Sequence, residues 1–219
     1  FSDPIADGPV IQRASHAAVQ AGVSPQSCLD LVASLRECGL ETPLVLMGYY
    51  NPILRRGLDA YADACAVAGI GGLIVPDLPV EESAPLRAAC RRRGLALIQL
   101  AAPTTSDERL ARIAAKTEGF LYLVSRLGIT GAGEALPADL AARLSQARCM
   151  SRAPVAVGFG IAAPQQARAL ASGVLTASGV LTASADGIIV GSAIVERAPQ
   201  GPQALEAYVA SLAAALRAV

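Results

Sequence analysis

The sequence predicts an α/β protein: a (β/α)₈ TIM barrel with about six of its eight strands present and the first two missing. Three observations carry that prediction. Apolar, β-branched runs alternate with helical patterns through all 219 residues without a break in composition, as a parallel sheet covered by helices requires. The glycine-rich strand ends come last, whereas the competing architecture, an open nucleotide-binding sheet, places its glycine-rich turn after the first strand with an acid about 20 residues on. Six runs at about 30 residues per βα unit fall two units short of a full barrel of roughly 250 residues.

The chain opens on FSDPIADGPV, a polar cluster that reads as the loop leaving a barrel strand before Phe1. Asp3 precedes a proline and reads as a turn residue. A helix through QRASHAAVQAG carries the one histidine, His16. Ser24-Pro25, an N-cap followed by proline at the first helical position, starts the next helix. There Cys28, Leu29, Val32 and Leu35 recur at helical spacing until Gly39.

The first two strands are PLVLMGYY (43–50) and GGLIVPD (71–77). PVEESAPLRAACRRRG then places Glu81 and Glu82 in a first helical turn, Arg91, Arg92 and Arg93 in the last, and Gly94 just beyond, matching the helix dipole. LALIQL (95–100) is the third strand, SDERLARIAAKTEG a helix from Ser106 to Gly119, and GFLYLVS (119–125) the fourth strand. The loop SRLGITGAGEALP (125–137) has the length and the glycines of either a lid or a disordered surface loop. APVAVGFG (153–160) and DGIIVGSA (186–193) complete the strands. A closing helix carries Leu205, Tyr208, Val209, Leu212 and Leu216 on its apolar face. Between the last two strands, residues 174–185 repeat a hexamer, VLTASG then VLTASA, which reads as a surface insertion remote from chemistry. The whole is expected to be a single domain, 1–219.

Composition excludes several classes. Eighteen basic residues balance 18 acidic ones, and the one basic run closes a helix, which argues against nucleic acid. No apolar stretch approaches the ~20 residues that span a bilayer. Five widely spaced cysteines without a C-x-x-C pair read as reduced, mostly core thiols in a cytoplasmic protein. One histidine and no Cys/His cluster leave no metal site to expect. The one lysine, Lys116, precedes a strand on the face that carries no barrel chemistry, so Schiff-base catalysis is not expected.

Chemistry gathers at the strand ends. GFG (158–160) and VGS (190–192) each open onto a helix, where backbone amides of Gly160, Gly191 and Ser192 form either a phosphate cradle or ordinary βα turns. Tyr122 and Asp77 point to the same mouth. Asp7, in the first loop, reads as an acid/base, a counter-charge to a cation, or a turn residue.

The stretches FSDPIADGPVIQRAS, LMGYYNPI, VPDLPVEES, YLVSRLGITGAG, VGFGI and VGSAIVE, in this order and at these strand ends, resemble the tryptophan synthase alpha subunit. The resemblance covers essentially the whole chain apart from the hexamer repeat. It implies a barrel lyase of tryptophan biosynthesis that cleaves indole-3-glycerol phosphate to indole and glyceraldehyde 3-phosphate, without metal or cofactor of its own. It implies that Asp7 stabilises positive charge on the indole nitrogen, that Tyr122 lines the site, and that the lid residue Thr130 meets Asp7 on closure. Phosphate would be held by amides at Gly131, Gly160, Gly191 and Ser192. A pyridoxal-phosphate-dependent beta subunit, met by Asp77, Leu78 and Pro79, is the implied partner in a heterotetramer.

The family's principal acid/base, a glutamate a few residues before F-S-D-P, is not in this sequence. Glu37, Glu41, Glu81 and Glu82 flank helix ends instead. The expectation is therefore an N-terminally truncated member with little or no activity and poor solubility. Two other readings stay open: a non-catalytic subunit that activates a beta subunit, and another phosphate-binding barrel acting on sugar phosphates.

Overall fold

The computed structural model describes residues 4–125, 140–158, 160–172 and 184–217. All six apolar runs contain strands: β1 (Val45–Met47), β2 (Gly72–Ile74), β3 (Ala96–Ala101), β4 (Leu121–Val124), β5 (Val155–Gly158) and β6 (Gly187–Ile189). They lie side by side in chain order, each pair parallel, and form half of a barrel wall. Two helices precede the sheet, α1 (Pro9–Gln20) and α2 (Pro25–Glu37). Two more, α3 (Tyr50–Arg56) and α4 (Leu58–Val67), join β1 to β2, and single helices α5 (Ala84–Arg92), α6 (Asp107–Lys116), α7 (Leu140–Met150) and α8 (Pro164–Ser172) make the later crossovers. After β6 come α9 (Ser192–Arg197), a 3₁₀ turn, and α10 (Pro202–Arg217).

Side chains alternate across each strand, and the alternation splits the core in two. Leu73 and Leu97 face outward to Leu29 of α2, Cys65 of α4 and Leu86 of α5. Leu121, Leu123, Val155 and Val157 do the same against Leu110 of α6 and Leu144 of α7. Ile74, Ile98 and Tyr122, on the opposite face, form the inner cluster of the half-barrel. Each fully buried leucine contributes about 1.5–3 kcal/mol relative to exposure, so the outer clusters fix the strand ends from which the site is built.

The local signals hold with some corrections. Ser24 and Ser27 form a reciprocal capping box at the start of α2. The helix expected from Glu81 instead begins at Ala84, because Pro85 cannot donate the hydrogen bond that a turn from residue 81 requires. Glu82 N–H closes a turn onto the Pro79 carbonyl, and Glu81 pairs with Arg109 (3.0 Å) and Arg112 (3.7 Å) of α6. The basic run is consumed by neighbours: Arg91 pairs with Glu118, Arg92 with Asp59 and Arg93 with Asp63. Only two of the five cysteines, Cys65 and Cys90, are buried, whereas Cys28, Cys38 and Cys149 are exposed. Leu35 and Val209, assigned to apolar helix faces, are also exposed, since no described element covers them. His16 lies on α1 as expected, facing solvent. The lid and most of the hexamer repeat, 126–139 and 174–183, lie outside the described residues. No helix among the described residues is long and apolar enough to cross a membrane.

Candidate functional site

Every strand end on the C-terminal side opens into one cavity of about 780 Å³, within the range of small-molecule sites. Met47, Val75, Leu100, Val124, Gly160 and Gly191 contribute to its wall, one from the end of each βα unit. Ile5 to Gly8 of the first loop close one side.

That loop is held by side chains rather than by secondary structure. Asp7 N–H donates to the Pro4 carbonyl (3.1 Å), and the Gln12 amide donates to the carbonyls of Asp7 (2.8 Å) and Pro4 (3.3 Å). The Asp7 carboxylate is therefore aimed by its own turn, and Tyr49 fixes it: the Tyr49 hydroxyl donates to Asp7 Oδ2 at 2.7 Å while accepting from Ala6 N–H at 3.1 Å. Burial, reinforced by the hydrogen bond to Asp7, raises the Tyr49 phenol well above its usual range. Tyr49 is a protonated donor at any physiological pH.

Tyr122, on β4, is 4% exposed and lines the same cavity. Burial raises its phenol above the ordinary value, and the negative charge of Asp7 adds to the shift. The ring fits only because residue 158 is glycine: a Cβ there would meet the Tyr122 ring and hydroxyl at 2.5 Å.

Two turns line the same cavity as Asp7. Gly160 adopts φ +86°, a conformation that favours glycine, and starts the turn into α8. Gly191 precedes α9, whose first amides, from Ser192 on, have no acceptor within the helix. In the first turn, Ala162 and Ala163 N–H both donate to the Gln166 side chain (2.9 and 3.0 Å). Asp77, Leu78 and Pro79 follow β2. Both Asp77 oxygens accept from Tyr50 N–H (3.0 and 3.1 Å), Leu78 turns into the core, and Pro79 alone of the three is exposed. Asp7, Tyr122, Gly160, Gly191 and Ser192 thus share one cavity, while Thr130 and Gly131 lie outside the described residues.

A family model described as "Tryptophan synthase alpha chain" matches residues 1–218. The chain belongs to the tryptophan synthase alpha chain family. The alpha chain of Dehalococcoides mccartyi is 47% identical over 202 residues, covering 92% of this chain and 74% of that one. The alpha chain of Geobacillus kaustophilus is 43% identical, covering 100% of this chain and 80% of its own length. Among solved structures, Mycobacterium tuberculosis tryptophan synthase superposes with a TM-score of 0.86 at 38% identity, over 99% of this chain and 78% of that one. A structure of the tryptophan synthase α₂β₂ complex from Pyrococcus furiosus gives 0.84 at 36%, over 100% and 84%.

Within this tryptophan synthase alpha fold, two cavity residues and one residue that holds Asp7 were not legible from sequence. Tyr49 is one of a tyrosine doublet, and only folding across 42 positions shows which of the two reaches Asp7. Glu196, on α9, ends the stretch VGSAIVE, but nothing in that stretch marks its carboxylate as a cavity group. Gln99 sits inside an otherwise apolar strand, so its alternation reads as core, yet it is a buried polar residue on the cavity wall. Among the described residues, no group of three or more His, Cys, Asp or Glu side chains is placed to hold a metal.

Proposed function

We propose that the cavity binds indole-3-glycerol phosphate and supports its cleavage to indole and glyceraldehyde 3-phosphate in cytoplasmic tryptophan biosynthesis. The observation that carries this reading is the sharing of one cavity by Asp7 and the turns at Gly160 and Gly191. The turns would take the phosphate on their amides, and Thr130 and Gly131 of the lid would close over it. Tyr122 would wall the indole, and Asp7 would face its nitrogen. When C3 of the ring gains a proton, positive charge develops on that nitrogen. The C3 to side-chain bond then breaks, its electrons restore the ring, and the neighbouring hydroxyl loses its proton to become the aldehyde. A fixed carboxylate opposite the nitrogen lowers the energy of the charged stage.

Proton transfer to C3 needs an acid/base. Asp7 and Glu196 are the carboxylates on the cavity wall among the described residues. A positioned acid/base contributes about 10²–10⁴-fold, and either carboxylate could act in that role. A second reading is that the chain serves a pyridoxal-phosphate-dependent beta subunit as a partner. The solved α₂β₂ relative supports that assembly, and Pro79, with its neighbours Asp77 and Leu78, supplies the surface turn for it.

One experiment separates the two. The chain is incubated with indole-3-glycerol phosphate, with and without a beta subunit, and indole release is followed beside tryptophan formation from indole and serine. Release that Asp7→Asn abolishes supports the lyase reading, and beta-subunit activation without release supports the partner reading. Neither effect, from folded protein, rejects both.

A further inference from the structure

We propose that Arg197 and Tyr208 are positioning residues that tie the two phosphate-facing turns to each other from behind the cavity wall. The inference rests on the phosphate reading above and concerns residues that carry no motif. The turns belong to different βα units, and among the described residues the β5–β6 ladder ends at Gly158 and Ile189, before either turn. Their relative placement must come from elsewhere.

A continuous bridge of side chains supplies it. The Tyr208 hydroxyl, from α10, donates to the Ala162 carbonyl of the first turn at 2.8 Å. Arg197, at the end of α9, donates through Nη1 to the carbonyl of Ala193, next to Ser192, at 2.9 Å. The Arg197 guanidinium lies 4.0 Å from the centre of the Tyr208 ring, within cation–π range. One contact chain therefore runs from Ala193 through Arg197 and Tyr208 to Ala162. With Gln166 holding the amides of Ala162 and Ala163, the first turn is braced from both sides.

The bridge also brings charge. Arg197 forms no ion pair with a carboxylate among the described residues, and it is half-buried. Its positive charge lies behind turns that would hold a dianion, and a neutral cradle of amides gains from a nearby cation. The pair would act on phosphate affinity and leave the indole end untouched.

Calorimetric titration of the full chain with glycerol 3-phosphate, and separately with indole, tests this. Tyr208→Phe removes the hydrogen bond and keeps the ring, and is expected to weaken glycerol 3-phosphate about three- to tenfold with indole affinity unchanged. Arg197→Gln is expected to weaken it at least as much, and Arg197→Lys to restore the charge-dependent part of the loss. Unchanged glycerol 3-phosphate affinity in both Tyr208→Phe and Arg197→Gln overturns the proposal, as does an equal loss for both ligands with a lowered Tm, which marks a merely structural role. If the unaltered folded chain fails to bind glycerol 3-phosphate at all, the phosphate reading itself falls and the inference falls with it.

Discussion

Asp7 and Tyr122 show what a single residue can and cannot reveal. An acid in a polar loop before a helix, and a tyrosine inside an apolar strand, stand out in the sequence, and both reach the cavity. Their supports do not stand out. Tyr49 is 42 positions from the carboxylate it holds, and the need for glycine at 158 appears only when the Tyr122 ring is seen against it. Tyr49→Phe removes one hydrogen bond to a charged acceptor, worth about 1.5–3 kcal/mol. The Asp7 carboxylate is then expected to lose its fixed orientation, with several-fold weaker binding of an indole-bearing phosphate and little change in glycerol 3-phosphate binding. Equal affinity for the indole-bearing ligand would show that the loop alone orients Asp7. Gly158→Ala forces the Tyr122 ring aside, and overpacking of this kind costs about 1–3 kcal/mol. A lower Tm together with weakened indole binding is expected, and a variant as stable as the parent would show that the ring has room to move.

At the scale of elements, the strands were legible because parallel strands buried on both faces read as continuous apolar runs, and all six runs contain one. Helices α3 and α4 were not, since YNPILRRG and the segment after it carry weak capping signals and are divided at Gly57. The outer cluster that holds α4 and α5 makes a pH prediction. Burial pushes the Cys65 thiol up to about 11, Cys90 to about 12 and the Tyr61 phenol to about 12. Each folded-state value lies above the unfolded one, so the neutral forms favour the fold below the unfolded values, near pH 8.5 for thiols and 10 for tyrosine. That contribution is lost as pH rises toward 11 to 12. Denaturant titrations at pH 8 and 10.5 should show lower stability at the higher pH, and equal or greater stability there would contradict the burial of this cluster. Thiol alkylation at pH 8 is expected to modify Cys28, Cys38 and Cys149 quickly and Cys65 and Cys90 only on unfolding, as mass spectrometry can read.

For the whole molecule, the glycine order and the unit count pointed to a barrel, and the described strands run β1 to β6 in chain order as part of a barrel wall. The sharing of one cavity by Asp7 and the two turns was beyond any local signal, because strand ends from all six units build that cavity. Competition calorimetry tests that sharing most directly, using a non-cleavable ligand that joins indole to a phosphate through a saturated three-carbon chain. If one cavity holds both ends, the joined ligand binds more tightly than indole or glycerol 3-phosphate alone, and each of them displaces it. Independent binding of the two halves, with neither displacing the joined ligand, would contradict the shared cavity on which the account depends.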